Sequence, residues 1–216
     1  MKIKLPIAII ALLLSGIPAI AQTAVIQGIT GRVQLKAPNG EWADATPGTT
    51  VSLGTVISTG FNSTALLDLG TSTIQVRSLT RMRLADLLRK GNTVTTTVFV
   101  TVGRVNADVQ RLPGLTQSFK LQSPVSTAAV RGTNFTFEIN WVTTNEGVVE
   151  FQNIAGLGRN VGPGEGSELS GLTLPVSPSA YRDHRENVHP FAGPSEFQPS
   201  NSTIAPNTGT IVVTVQ

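Results

Sequence analysis

An all-β fold, built either as a β-sandwich of two packed sheets or as a short β-solenoid, is what this sequence predicts. Apolar residues recur at every second position in many short runs, the period of a strand with one buried face. Turn-forming residues, among 21 glycines and 13 prolines, punctuate those runs at close spacing. No helical segments separate them, apart from one ambiguous stretch at Arg81 to Lys90. A charged fraction of 13% beside 40% hydrophobic residues suits sheets that are apolar inside and rich in Thr and Ser outside.

The first element is an export signal. Lys2 and Lys4 precede the apolar run Leu5 to Leu14, and Ala19-Ile20-Ala21 is a small-x-small cleavage site before Gln22. Residues 1–21 are therefore expected to be a cleaved signal peptide, with the rest periplasmic or extracellular. The run is short of the roughly 20 apolar residues of a membrane span, and Gly16 and Pro18 interrupt it. No later segment is long and apolar enough to span, so no integral membrane protein is expected after cleavage. Removing the leader leaves 14 basic against 13 acidic residues, a net charge of +1, so the pI of 9.7 says little about partners. No phosphate-neutralising cluster of a nucleic-acid binder stands out. The chain has no cysteine, so neither a disulfide nor a lipid-bearing cysteine holds it.

Residues 22–170 form the predicted β domain. Strands are expected at Ala24 to Ile29, Gly31 to Ala37 and Glu41 to Ala45, with Asn39-Gly40 as a turn. Short runs follow at Thr50 to Val51 and Thr55 to Ser58. Ser63 to Asp68 and Ser72 to Val76 flank a turn at Gly70. Val94 to Val102 is rich in β-branched residues, Arg104 to Val109 continues the pattern, and Phe119 to Gln122 leads on. In Arg81 to Lys90, Met82, Leu84, Leu87 and Leu88 fit one face of a short helix capped by Gly91. A strand is the other reading, since tertiary context overrides local propensity. Further on, Phe135, Phe137 and Ile139 alternate with Thr136 and Glu138, after a corner at Arg131-Gly132-Thr133.

Residues 171–216 are a Pro-rich, irregular tail ending in a strand at Thr208 to Val215, with Tyr181, Phe191 and Phe197 as apolar anchors. That strand pairs either with its own domain or with a partner chain by β-augmentation.

The stretch Val125 to Phe137 resembles the FecR domain, an extracytoplasmic all-β module of bacterial signalling and envelope proteins. Other segments resemble it in the same order. Gly31-Arg32-Val33, Trp42, Gly48 and Gly54 look like its opening. Ile57, Thr59-Gly60, Ser63, Leu67 and Leu69-Gly70-Thr71 look like its Thr-Gly-x-x-Ser step. Gly103-Arg104-Val105, after Val102, resembles its central strand, Glu146-Gly147-Val148-Val149 its Glu-Gly-x-Val hairpin, and Gly164-Glu165-Gly166 its closing strand. The match runs from Val25 to Leu169. The resemblance implies a jelly-roll-like sandwich and an extended strand at Arg81 to Lys90, which is the reading adopted there. One departure is that Asn140 to Asn145 must cover a turn and a strand, so a shortened hairpin is expected.

Chemistry is sparse. The histidines, His184 and His189, lie in the tail beside Asp183 and Glu186, and their spacing matches no familiar metal pattern, so no metal or cofactor is expected. With no cysteine and no histidine inside the domain, Ser-His and Cys-His catalysis there is excluded by inventory. The carboxylates are scattered, and Gly162-Pro-Gly-Glu-Gly166 lacks the lysine and helix of a phosphate loop. No catalytic residue is assigned. The resemblance makes Arg131, Gly132, Thr133, Phe135, Glu146 and Gly147 a structural or partner-contact signature. Arg131 either recognises a carboxylate or partner backbone, or locks the corner through a nearby acid or carbonyl. Trp42 and Trp141 are candidates for stacking on a glycan, or core residues. The expected function is a non-enzymatic binding or signal-relay module that contacts an envelope protein, with polysaccharide binding as the alternative.

Overall fold

In the computed structural model residues 23–179 are described; the expected signal peptide, His184, His189, the anchors Tyr181, Phe191 and Phe197, and the strand expected at Thr208 to Val215 lie outside them. Seventeen strands form in chain order: β1 (Ala24–Thr30), β2 (Val33–Lys36), β3 (Trp42–Asp44), β4 (Thr50–Val51), β5 (Val56–Thr59), β6 (Thr64–Asp68), β7 (Ser72–Val76), β8 (Arg81–Lys90), β9 (Thr93–Val102), β10 (Arg104–Val109), β11 (Thr116–Gln122), β12 (Ser126–Val130), β13 (Asn134–Glu138), β14 (Trp141–Glu146), β15 (Val149–Asn153), β16 (Gly158–Val161) and β17 (Gly166–Glu168).

They make the two sheets expected. The first has the order β17-β14-β13-β10-β7-β6-β1-β4, and the second β16-β15-β12-β11-β9-β8-β5-β2-β3. Alternation decides which side chains go inside. In β9, Val94, Thr96, Val98 and Val100 are buried, and in β13, Phe135 and Phe137 are. The inward residues of both sheets form one apolar cluster from Ala24 to Leu169. Phe119 of β11 meets Phe135 of β13 edge-on at 6.3 Å, joining the sheets at the centre.

The chain advances along both sheets together. It crosses from one to the other after β1, β3, β4, β5, β7, β9, β10, β12, β14 and β16. Every pairing is antiparallel except β9 with β11, which is parallel from Thr93↔Thr116 to Phe99↔Gln122. A solenoid of parallel coils would need parallel pairing throughout, so the sandwich is the architecture.

Arg81 to Lys90 is a strand, and a bulge explains its helical look. Leu84 pairs with Val98 and Asp86 with Thr97, leaving Ala85 as the extra residue. The inward positions therefore run Met82, Leu84, Leu87, while Leu88 faces out at 55% exposure.

Three expectations are corrected. Ile139 lies beyond β13, at the turn into β14, and is only partly buried. The segment after it accommodates both a tight turn and the six-residue strand β14, so the hairpin is not missing a strand. Glu146 to Val149 is a switch from the first sheet (β14) to the second (β15), rather than a hairpin. Residues after 170 remain tied to the domain as far as Val176. The Val176 amide donates to Glu168 O at 2.8 Å, and Asn153 Nδ2 donates to the carbonyls of Leu172 and Thr173, each at 2.9 Å.

Candidate functional site

A chain that leaves one sheet for the other must turn sharply while its backbone polar groups stay paired. Here a glycine and a hydroxyl from a neighbouring corner do this together. After β9, Gly103 has φ +95°, and a Cβ there would lie 2.5 Å from Thr80 Cα. The Thr80 hydroxyl, buried, accepts from the Arg104 amide at 3.0 Å and donates to the Arg104 carbonyl at 3.1 Å. Gly31 packs against Ser63, whose Oγ accepts from the Arg32 amide at 2.8 Å. Gly147 packs against Thr133, which donates to Val148 O at 3.2 Å. These pairings account for the Gly-Arg-Val, Thr-Gly-x-x-Ser and Gly-Thr wording of the sequence. In this signature Gly132, Thr133 and Gly147 make close backbone and hydroxyl contacts, and Phe135 is buried in the core.

Arg131 differs. The corner after β12 is locked, but by Arg111. That side chain lies over Gly132, where φ is +81° and a Cβ would meet Arg111 Cγ at 2.0 Å. Arg111 Nε donates to the Arg131 carbonyl at 3.1 Å. The Arg131 guanidinium is exposed and makes no hydrogen bond or ion pair among the described residues; the sequence-derived lock between its guanidinium and a nearby acid or carbonyl is not formed. Glu146, also exposed, lines a hollow with Arg111, Gly132, Thr133 and Gly147 at the same end of the sandwich. A second hollow there is lined by Lys120, Ala129, Arg131, exposed Val148 and Glu150. A third lies under the β10–β11 crossing, lined by Arg111, Leu112, Leu115, Gln117 and Arg131. Three cations, Arg111, Lys120 and Arg131, thus gather at one end, where Asp108, Glu146 and Glu150 line the same hollows. The two ion pairs among the described residues, Arg32–Asp44 and Arg104–Glu138, involve none of them.

The tryptophans lie on different sheets. Trp42, 40% exposed, is on the edge strand β3 with the Arg81 guanidinium 5.7 Å from its ring centre. Trp141, half-buried on the outer face of the first sheet, has Arg104 over its ring at 5.2 Å. Its indole N–H and Arg104 Nε both donate to Glu138. On that face, Thr136 donates to Asn106 and Asn106 to Gln75, each at 3.2 Å, and Asn145 donates to Asn134 at 2.8 Å. Among the described residues no group of three or more His, Asp or Glu is placed to hold a metal, and no helix is long and apolar enough to cross a membrane. The Gly162-Pro-Gly-Glu turn is closed by the Glu165 amide on Gly162 O at 3.1 Å and by the Gly162 amide on Glu165 Oε2 at 2.9 Å.

Sequence reasoning missed Arg111 and Gln117. Neither falls in a motif, and both reach the site through the long crossing from β10 to β11.

No family model and no curated protein matches the chain. Two solved structures from Parabacteroides distasonis, each of a proposed anti-sigma factor, are similar to it. One is 18% identical, with a TM-score of 0.48 over 61% of this chain and 63% of its own. The other is 16% identical, with a TM-score of 0.46 over 61% of this chain and 64% of its own. The chain spans less than two-thirds of the length of either.

Proposed function

We propose that the chain is an exported, non-enzymatic FecR-like module that contacts another protein in the cell envelope, acting as a binding or relay element. The reading is carried by one observation. Arg111, Lys120 and Arg131 stand together at one end, without an acidic partner among the described residues and beside the exposed Val148. Unpaired cations rimming an apolar residue favour a partner of opposite charge and steer its approach. The motif glycines and hydroxyls hold the corner and leave the contact to its neighbours.

The test compares the mature protein with an Arg111→Gln/Arg131→Gln variant in affinity capture from native envelope. A specific envelope protein held by the first and released by the second supports the reading. Equal retention by both would sink it.

A second reading, polysaccharide binding, is favoured by Trp141 standing beside the Asn106–Gln75–Thr136 row on the outer face of the first sheet. Retention on cell-wall polysaccharide resin that is lost in Trp141→Ala, but kept in Arg131→Gln, would support it. Retention unchanged in Trp141→Ala and in Trp42→Ala would remove it.

A further inference from the structure

We infer that the mouth between the two sheets at the Arg131 end binds a carboxylate carried on a partner polypeptide. This rests on the reading of that end as a contact surface, and names the chemistry it takes. Gln117 sits on the inward side of β11, in register with Phe119 and Leu121, where the sheets part. It is only 7% exposed, and its Nε2 is buried without an acceptor. A buried donor left unmatched costs stability, and native structures hold few of them. Here the donor lines a hollow that also holds Gln110 and Thr116, and whose charged groups are both donors.

Those groups are the guanidiniums of Arg111 and Arg131. Arg111 is held in place by its Nε bond to the Arg131 carbonyl. Its remaining N–H groups, and all those of Arg131, have no protein acceptor among the described residues. Leu112 and Leu115 supply apolar walls. Two planar guanidiniums and an amide N–H fit the two oxygens of a carboxylate, which a guanidinium takes in a bidentate pair. Glu146 and Glu150 line the adjoining hollows. With Asp108 they offset the cations, so charge alone does not choose between a carboxylate and phosphate; the apolar walls of Leu112 and Leu115 favour a carboxylate carried on a peptide. The carboxylate has two sources in a polypeptide, an acidic side chain or a chain terminus.

The test is an NMR titration of the mature protein, following the Gln117 side-chain amide and the Arg111 and Arg131 Nε–H signals. The probes are acetyl-Ala-Leu-Glu-Leu-amide, acetyl-Ala-Leu-Leu as free acid, neutral acetyl-Ala-Leu-Gln-Leu-amide, and inorganic phosphate. The expected result is that at least one acidic peptide moves all three signals and binds about tenfold more tightly than the neutral one. The peptide that does so identifies the source. Affinity should fall by a similar factor in Arg131→Gln and in Gln117→Leu, the latter melting no lower than the native protein. The neutral peptide matching both acids, phosphate binding more tightly than either, or Gln117→Leu binding unchanged would each overturn the proposal. Envelope capture that still depends on Arg111 and Arg131 after such a result would leave the contact surface standing and remove only the carboxylate.

Discussion

At the scale of the residue, the corners show how a motif becomes a structure. Gly103→Ala would place a Cβ against the Thr80 backbone at φ +95°, and backbone cannot swing aside. A loss of about 3 kcal/mol is expected in urea denaturation. At Gly132 the obstacle is the Arg111 side chain, which can move, so Gly132→Ala should cost about 1–2 kcal/mol and displace Arg111 from the hollow. Equal losses at the two glycines would show that flexibility of the neighbour does not decide the cost. Thr80→Val keeps the shape but strips the hydroxyl from the Arg104 amide and carbonyl, so about 1–3 kcal/mol should be lost. Gln117→Leu should go the other way and gain about 1 kcal/mol, because it removes a buried donor that has no acceptor. The residues of the Gly31–Ser63 and Gly147–Thr133 corners were legible because both partners sit inside short motifs, whereas Thr80, the partner of Gly103, lies in none. Arg111 and Arg131 are twenty residues apart in sequence, and no local pattern announces that one guanidinium lies over the other's corner.

At the scale of the element, β8 shows where periodicity misleads. An inward spacing of two and then three residues reads as part of a helical face until the bulge at Ala85 is seen. The two readings separate on adjacent leucines. A helix would place Leu87 and Leu88 on one apolar face, whereas the bulged strand buries Leu87 and turns Leu88 to solvent. Leu87→Glu should therefore cost more than about 3 kcal/mol, and Leu88→Glu should stay within about 0.5 kcal/mol. Similar losses at both positions would contradict the strand. Most other strands were legible because no bulge disturbs their alternation, as in β7 and β10. The pairing order was not, since nothing local says that β11 will lie parallel beside β9 after the chain has visited the other sheet.

At the scale of the whole molecule, the position of β1 bears on export. A cross-strand row runs from Val25 through Asp68, Thr73 and Asp108 to Asn134, which follows Thr133 in the corner. Four steps between neighbouring strands span about 19 Å, so the chain enters the sandwich at the end that carries Arg111 and Arg131. A leader still embedded in a bilayer would hold that end against the headgroups. The cations would then meet anionic lipid in place of a partner protein. The contact reading thus requires removal of residues 1–21, with Gln22 as the new N-terminus and two lysines fewer. Intact-mass measurement on protein extracted from the envelope should find residues 22–216 with no leader. A mass that retains the leader, in a protein that sediments with membranes, would turn the cationic end toward lipid and exclude the free envelope module.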